Sequence, residues 1–501
     1  MTSKTVVIIG SGFSGLCAAI QLKKRGIHDF VILEKAADIG GTWRDNTYPG
    51  AACDIRAMFY SFSFFINKEW SREYPQQPEI HAYLRSCAKG FKLYPHIQLN
   101  TEVEEMRYSG EVKSWLIQCK NGKQYEARFV LSGTGQLHIP SIPKFKGAKN
   151  FAGKSFHTAQ WDHTLSLYKK KVAIIGNGAS AIQVVPAIID KVSELTVIQR
   201  SANWIIPRWD RAYSLLEKMA FRFVPFVPEL TRFGIWARKE LLLPALNSST
   251  NSPIRVFFET LVKLYINSQV KNQKLRKLLT PDYPVGCKRV LISDDYLSAL
   301  DQEHADVVQQ PIKQIVKEGL EMADGTTVSA DILIYATGFR TNDFLYPIQV
   351  FGKEGVHIND TWQYGAEAYL GISVPGFPNF FMLYGPNTNL GHNSIVFMIE
   401  NQVNYILNLI EHSLKNNHKT IEVSNSAMAD WSEECQHALG QSVWVQGCDS
   451  WYKNESGKVV NNWPYSTVEY WLRTMQVNYD HFLFDKEQRL HSDESPIQVT
   501  Q

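Results

Sequence analysis

Two stretches of this chain carry the same order of parts, and no other feature limits its fold as much. Near the N-terminus, TVVIIGSGFSGLCAAIQLKKRGIHDFVILEK (residues 5–35) runs through an apolar strand, a glycine turn, a helix opening on small residues, and a second strand ending in Glu34. Later, KKVAIIGNGASAIQVVPAIIDKVSELTVIQR (170–200) repeats the order and ends in Gln199 and Arg200. Each is a βαβ unit, which requires parallel strands with a crossover helix. The fold class predicted is therefore α/β, with two Rossmann-like dinucleotide-binding domains.

The turns state what they bind. In the first, Gly10 permits the tight turn, Gly12 lets backbone amides approach a pyrophosphate, and Gly15 lets the helix pack against the strand with its positive end toward the phosphates. Glu34, at the tip of the second strand, is placed to accept hydrogen bonds from ribose hydroxyls. The second turn is Gly176, Gly178 and Ala181, and its strand tip offers Gln199 and Arg200 in place of an acid. A carboxylate there repels a 2′-phosphate, whereas a guanidinium binds one, so the second unit is predicted to take NADPH and the first FAD.

Bulk properties remove other classes. The 501 residues carry 52 basic and 49 acidic side chains, a net charge of +3 too small to predict binding to nucleic acid or to a membrane. The seven cysteines, at 17, 53, 87, 119, 287, 435 and 448, include no C-x-x-C pair. No disulfide framework, zinc site or redox-active dithiol beside a flavin is expected. The N-terminus enters a strand without an export signal, and no apolar run reaches spanning length, so a cytoplasmic protein without a transmembrane segment or metal is expected.

Between the two units lies FAGKSFHTAQWD (151–162), which reads F-x-G-x-x-x-H-x-x-x-W-D. It resembles the fingerprint of the type I Baeyer-Villiger monooxygenases at every position. GGTWRDNTYPGAACD (40–54) is similar to that family's second signature, with Gly41, Trp43, Tyr48, Pro49, Gly50 and Asp54 in place. The segments 130–147, 331–339 and 384–402 resemble the family's crossover strands and its flavin- and substrate-facing segment. The family implies a flavoprotein that uses NADPH and molecular oxygen to convert a small ketone into an ester or lactone through a C4a-peroxyflavin. Two alternatives stay open on the sequence: an N- or S-oxygenating flavin monooxygenase, and a flavin- and NADPH-binding protein that does not oxygenate.

The resemblance also assigns residues. VGCKRVLISDDYL (285–297) is similar to the family segment in which Lys288 meets the NADP 2′-phosphate and Arg289 is the catalytic cation, with Asp54 as its partner. His157 joins them among the catalytic candidates as the hinge of the fingerprint, holding the two domains in a working orientation. Cofactor contacts carry over to Thr42, Trp43, Ile55, Tyr60, Ser180 and Ile395, besides the residues of the two turns. Arg56 and Ala57 depart from the Pro and Ser that relatives often have, which puts the local loop shape in question. The expected organisation is a first flavin part over 1–150, a nicotinamide part over 151–335, and a second flavin and substrate-facing part over 336–501. Residues 205–280 form a helical insertion in the middle part. Its basic, aromatic, amphipathic stretch is expected to bury its apolar face, although weak membrane contact stays open.

Overall fold

A computed structural model describes residues 1–241, 243, 252–445, 447–448 and 450–486. Its first strands are β1 (Thr2–Ile9), β2 (Phe30–Leu33), β3 (Ile97–Gln98), β4 (Val103–Ser109), β5 (Ser114–Cys119) and β6 (Gln124–Ser132), and helix α1 (Phe13–Lys24) joins β1 to β2. β1 lies between β2 and β6 and runs parallel to both, while β5 pairs antiparallel with β4 and β6. Val6 to Ile9 and Phe30 to Leu33 are all buried, because a parallel sheet is covered on both faces and needs apolar side chains on each.

A second sheet holds β7 (Lys154–His157), β8 (Lys171–Ile175), β9 (Glu194–Ile198), β10 (Ala305–Val308) and β11 (Ile332–Tyr335), in the spatial order β10–β9–β8–β11–β7. Every pair in it is parallel, and α2 (Ala181–Ile188) follows β8. The chain then returns to the first sheet, setting β12 (Gln349–Phe351) beside β4 and β13 (Phe380–Met382) beside β6. The two sheets thus share the chain, with the second formed entirely between two passes through the first.

Helices α3 (Leu215–Phe223), α4 (Val227–Glu240) and α5 (Pro253–Gln269) fill the connection from β9 to β10. Their apolar residues are only partly buried: Phe221, Ile235, Val262 and Ile266 pack inward as expected, but many others do not. Leu215, Leu216, Met219 and Phe223 on α3, and Leu230 and Phe233 on α4, are exposed, whereas α4 turns Arg232 inward. The Arg232 guanidinium donates to the carbonyls of Met58, Phe59 and Ser61 at 3.2, 3.3 and 2.6 Å, and these bonds compensate the burial of its charge. The C-terminal third adds α6 (Ile395–Lys415), which packs on α1, and α7 (Thr467–Met475), which packs on α6.

One cysteine expectation also needs correcting. Cys287 and Cys448 form a disulfide across 161 residues, and the other five cysteines are buried thiols. The bond ties the segment bearing Lys288 and Arg289 to the C-terminal loop.

Candidate active site

The two glycine turns face one cavity of about 1360 Å³ that runs between the sheets. Backbone geometry explains the glycines. Gly10 and Gly176 have φ of +91° and +108°, and a Cβ at either would lie 2.7 or 2.4 Å from the carbonyl oxygen of Gly133 or Ala336. At Gly12 and Gly178 the space is open, with only the Cα of Gly41 at 3.8 Å from a Cβ on Gly12 and nothing within 4 Å of one on Gly178. The turns are thus tight against protein on one side and bare on the cavity side, the form a pyrophosphate needs for close approach to backbone amides.

Around the first turn the side chains lock onto one another. Glu34 is buried, and its carboxylate accepts from the Ser11 amide and hydroxyl at 2.9 and 2.6 Å and from the Ala36 amide at 3.0 Å. Arg44 donates to the same carboxylate at 2.9 Å and to the Asp38 carbonyl at 2.7 Å. Trp43 donates its indole N–H to the Tyr60 hydroxyl at 2.9 Å, and burial drives the Tyr60 phenol well above its usual range. Arg56 pairs with Glu73 at 3.1 Å, so the departure at 56 anchors its loop to that acid.

The second turn is looser and more basic. Gln199 accepts from the Asn177 amide at 2.8 Å and donates to the Leu278 carbonyl at 2.7 Å. Arg200 is exposed at the end of β9. Lys288 donates to the Ser201 hydroxyl at 2.7 Å, which puts a second cation close to the same strand tip. Gln183 on α2 reaches across to the other half, accepting from the Tyr48 hydroxyl at 3.0 Å and donating to the Ala52 carbonyl at 3.0 Å. Gly50 allows this contact, since a Cβ there would lie 2.4 Å from the Gln183 carbonyl oxygen.

Between the turns stands an ion pair. Arg289 donates through Nε and Nη2 to Asp54 Oδ2 at 3.0 and 2.5 Å, and through Nη1 to the Leu390 carbonyl at 3.3 Å. The charge of Asp54 raises the Arg289 guanidinium above its ordinary value against the opposing effect of burial. Burial alone would raise the Asp54 carboxyl, but the charge and hydrogen bonds of Arg289, helped by Lys239, hold it below its usual value. Lys239, at the end of α4, is lowered by burial, with Asp54 pulling it back up. Both cavity-facing partners are therefore charged at neutral pH.

Of the catalytic and cofactor-binding candidates taken from the sequence, all but Gly15, Ala181 and His157 line the cavity. Gly15 is packed under the first turn, where a Cβ would lie 1.9 Å from the Gly10 oxygen, and Ala181 opens α2. His157 is fully buried at the end of β7, accepts from the Ala159 amide at 3.1 Å, and sets its ring edge-on to Phe339 at 5.7 Å. It contacts the crossover at Phe339 and does not line the cavity. Arg44, Gln183, Lys239 and Tyr384 are members of the site that sequence reasoning missed. Arg44, Gln183 and Tyr384 lay inside the stretches 40–54, 170–200 and 384–402 already singled out, and Lys239 depends on long-range packing.

Comparison with known proteins decides the family. Residues 7–224 match the family described as pyridine nucleotide-disulphide oxidoreductase. A protein of Streptomyces coelicolor named Baeyer-Villiger monooxygenase is 40% identical over 475 residues, 94% of this chain and 91% of that one. The chain belongs to the Baeyer-Villiger monooxygenases. A second Baeyer-Villiger monooxygenase, from Pseudomonas aeruginosa, is 42% identical over 474 residues, covering 94% and 89% of the two chains. Among solved structures, an oxidized steroid monooxygenase bound to NADP superposes with a TM-score of 0.86 at 28% identity, over 97% of this chain and all of that one. The Baeyer-Villiger fold thus spans nearly the whole chain.

Proposed function

We propose that this chain is an NADPH- and oxygen-dependent flavoprotein that converts a small ketone into an ester or lactone. The observation that carries the reading is the Asp54–Arg289 pair, fixed in one cavity between two dinucleotide-type turns. FAD fits the first turn, where Gly10 and Gly12 leave backbone amides bare and Trp43, Tyr60 and Ile55 supply an apolar and aromatic wall. NADPH fits the second, where Gly176 and Gly178 open the phosphate cradle and Arg200 and Lys288 supply cations for a 2′-phosphate. Bound there, the reduced flavin supplies the oxygen-activating chemistry.

The protein's own part is electrostatic. Arg289, a cation held by Asp54 and the Leu390 carbonyl, stabilises negative charge as it develops on oxygen at the carbonyl under attack. Asp54 fixes the orientation of the guanidinium and releases or recaptures it as the nicotinamide moves. His157, Gln183 and Gly50 hold the two halves at the separation this requires. We assign residues 1–150 and 336–501 to the flavin part and 151–335 to the nicotinamide part, and we place the enzyme in the cytoplasm, where NADPH is supplied.

The test is product analysis. The purified yellow protein, given NADPH, oxygen and a panel of cyclic, linear and aryl ketones, should yield an ester or lactone with ketone-dependent NADPH consumption. Oxidation of sulfides or amines without ester from any ketone would replace this reading with heteroatom oxygenation. NADPH consumption indifferent to every substrate would remove both.

A further inference from the structure

The helical insertion keeps large apolar side chains on its outer face, although the same helices bury Phe221 and Ile235 on their inner side. On α4 the exposed residues Leu230 (67%) and Phe233 (62%), with Phe226 (73%) just before the helix and Leu241 just after it, fall four, seven and fifteen residues apart from the first. That spacing is one helical stripe. On α3, Leu215, Leu216 (78%), Met219 and Phe223 form another, and α3 packs against α4. On α7, Val468, Trp471, Leu472 and Met475 form a third, and α7 adjoins α4 because Trp236 donates to the Thr467 hydroxyl at 2.9 Å. Three helices in contact therefore expose their apolar stripes, far more than the scattered apolar side chains of an ordinary surface.

Charge selects the occupant. Residues 205–280 hold thirteen Lys and Arg against five Asp and Glu, whereas the rest of the chain, with 39 basic and 44 acidic residues, is net negative. Of the thirteen, Arg232 and Arg255 are buried and do not face outward. Lys218 and Arg222 lie on α3 itself and Arg238 on α4. A symmetric dimer through this face would set the same basic surface against its own copy, which like-charge repulsion opposes. An anionic bilayer meets both features: acyl chains receive the Leu and Phe stripes, and lipid phosphates receive the cations. No helix among the described residues is long and apolar enough to cross a membrane, so the contact is with the surface of the bilayer.

We propose that α3, α4 and α7 form a docking face for an anionic lipid bilayer. The face stands one contact away from the cavity lining. Glu240, at the inner end of α4, accepts from Asn393 at 2.7 Å and meets His392 at 3.1 Å, and Asn393 lines the cavity. The docking face is independent of which substrate the cavity accepts.

Flotation with lipid vesicles tests this. The holoenzyme should float with vesicles of phosphatidylglycerol and phosphatidylcholine, release as salt rises, and bind phosphatidylcholine vesicles at least about tenfold more weakly. The combined Phe226→Ser, Leu230→Ser and Phe233→Ser variant should lose at least about a hundredfold in vesicle affinity while its activity in buffer stays at the parent level. If that variant loses its yellow colour, Lys218→Glu with Arg222→Glu decides alone, through a loss of about tenfold or more for the anionic vesicles. A parent protein that floats with neither vesicle overturns the proposal. So does a dimer in light scattering that the triple variant abolishes in the absence of vesicle binding.

Discussion

The two βαβ units share a plan and differ in how their strand tips are finished. At the first, Glu34 is buried and its carboxylate is bonded to Ser11, Ala36 and Arg44, so the acid is part of the frame that holds the turn. At the second, Arg200 is exposed and Lys288 comes from a segment 88 positions further along the chain. The first tip is a locked structure suited to a cofactor that stays. The second is an electrostatic clamp assembled from two places, suited to a cofactor that is chosen by charge and exchanged.

The largest expected effect falls between the units. Arg289→Ala should keep the flavin, whose contacts lie around the first turn, and lose on the order of a hundredfold to a thousandfold in ester formation. The remaining NADPH oxidation should appear as hydrogen peroxide, read by a peroxidase-coupled assay. Ester at the parent rate would show that the pair belongs to the frame alone.

Acid should act next, through the linker joining the units. Burial pushes the His157 imidazole down to about 4 from 6.5, despite a hydrogen bond with the Gly338 backbone that favours its charged form. Between those values the unfolded chain binds the proton that the folded chain refuses, so stability falls as the pH drops through that window, by ~3 kcal/mol for this group. His157→Asn should flatten the urea-derived stability profile between pH 6.5 and 4, and an unchanged slope would place the loss elsewhere.

The clamp predicts a smaller effect that depends on the cofactor. Lys288→Ala and Arg200→Ala should each raise the Michaelis constant for NADPH about tenfold and leave that for NADH near the parent value. Equal losses with both cofactors would erase the contrast between the two tips. Smallest of all, Glu34→Gln should lower stability by about 1 kcal/mol, since Arg44 keeps Asp45 as a partner, and it should slow NADPH- and NADH-driven turnover equally. Thermal unfolding in excess FAD measures it.

What was legible in the sequence was local. Each glycine turn announces itself within its own short run, so Gly10 to Glu34 and Gly176 to Arg200 could be read directly, although the carbonyls they pack against, of Gly133 and Ala336, lie far along the chain. The 40–54 segment brought Trp43 and Asp54 to the site because its spacing is fixed within one short run, whereas 151–162 lies outside the cavity lining. The disulfide was invisible because 161 residues separate its ends. The outer stripes of the insertion went unread for a different reason: helical periodicity shows that a stripe exists but not which side faces the protein. Buried Arg232 and exposed Phe233 reverse the usual assignment. Lys239 escaped notice because its nearness to Asp54 depends on that same orientation.

Arg232 has a mechanical consequence. The insertion leaves the second sheet after β9 and returns to it at β10, yet this side chain fastens it to carbonyls at positions 58–61 of the opposite half. Seven positions further along the same helix, Lys239 stands near the Asp54–Arg289 pair. α4 is therefore a lever with its fulcrum on one half and its root in the other. A rotation of the two sheets relative to each other would move the tip of the lever against the pair and so change the positive charge beside it.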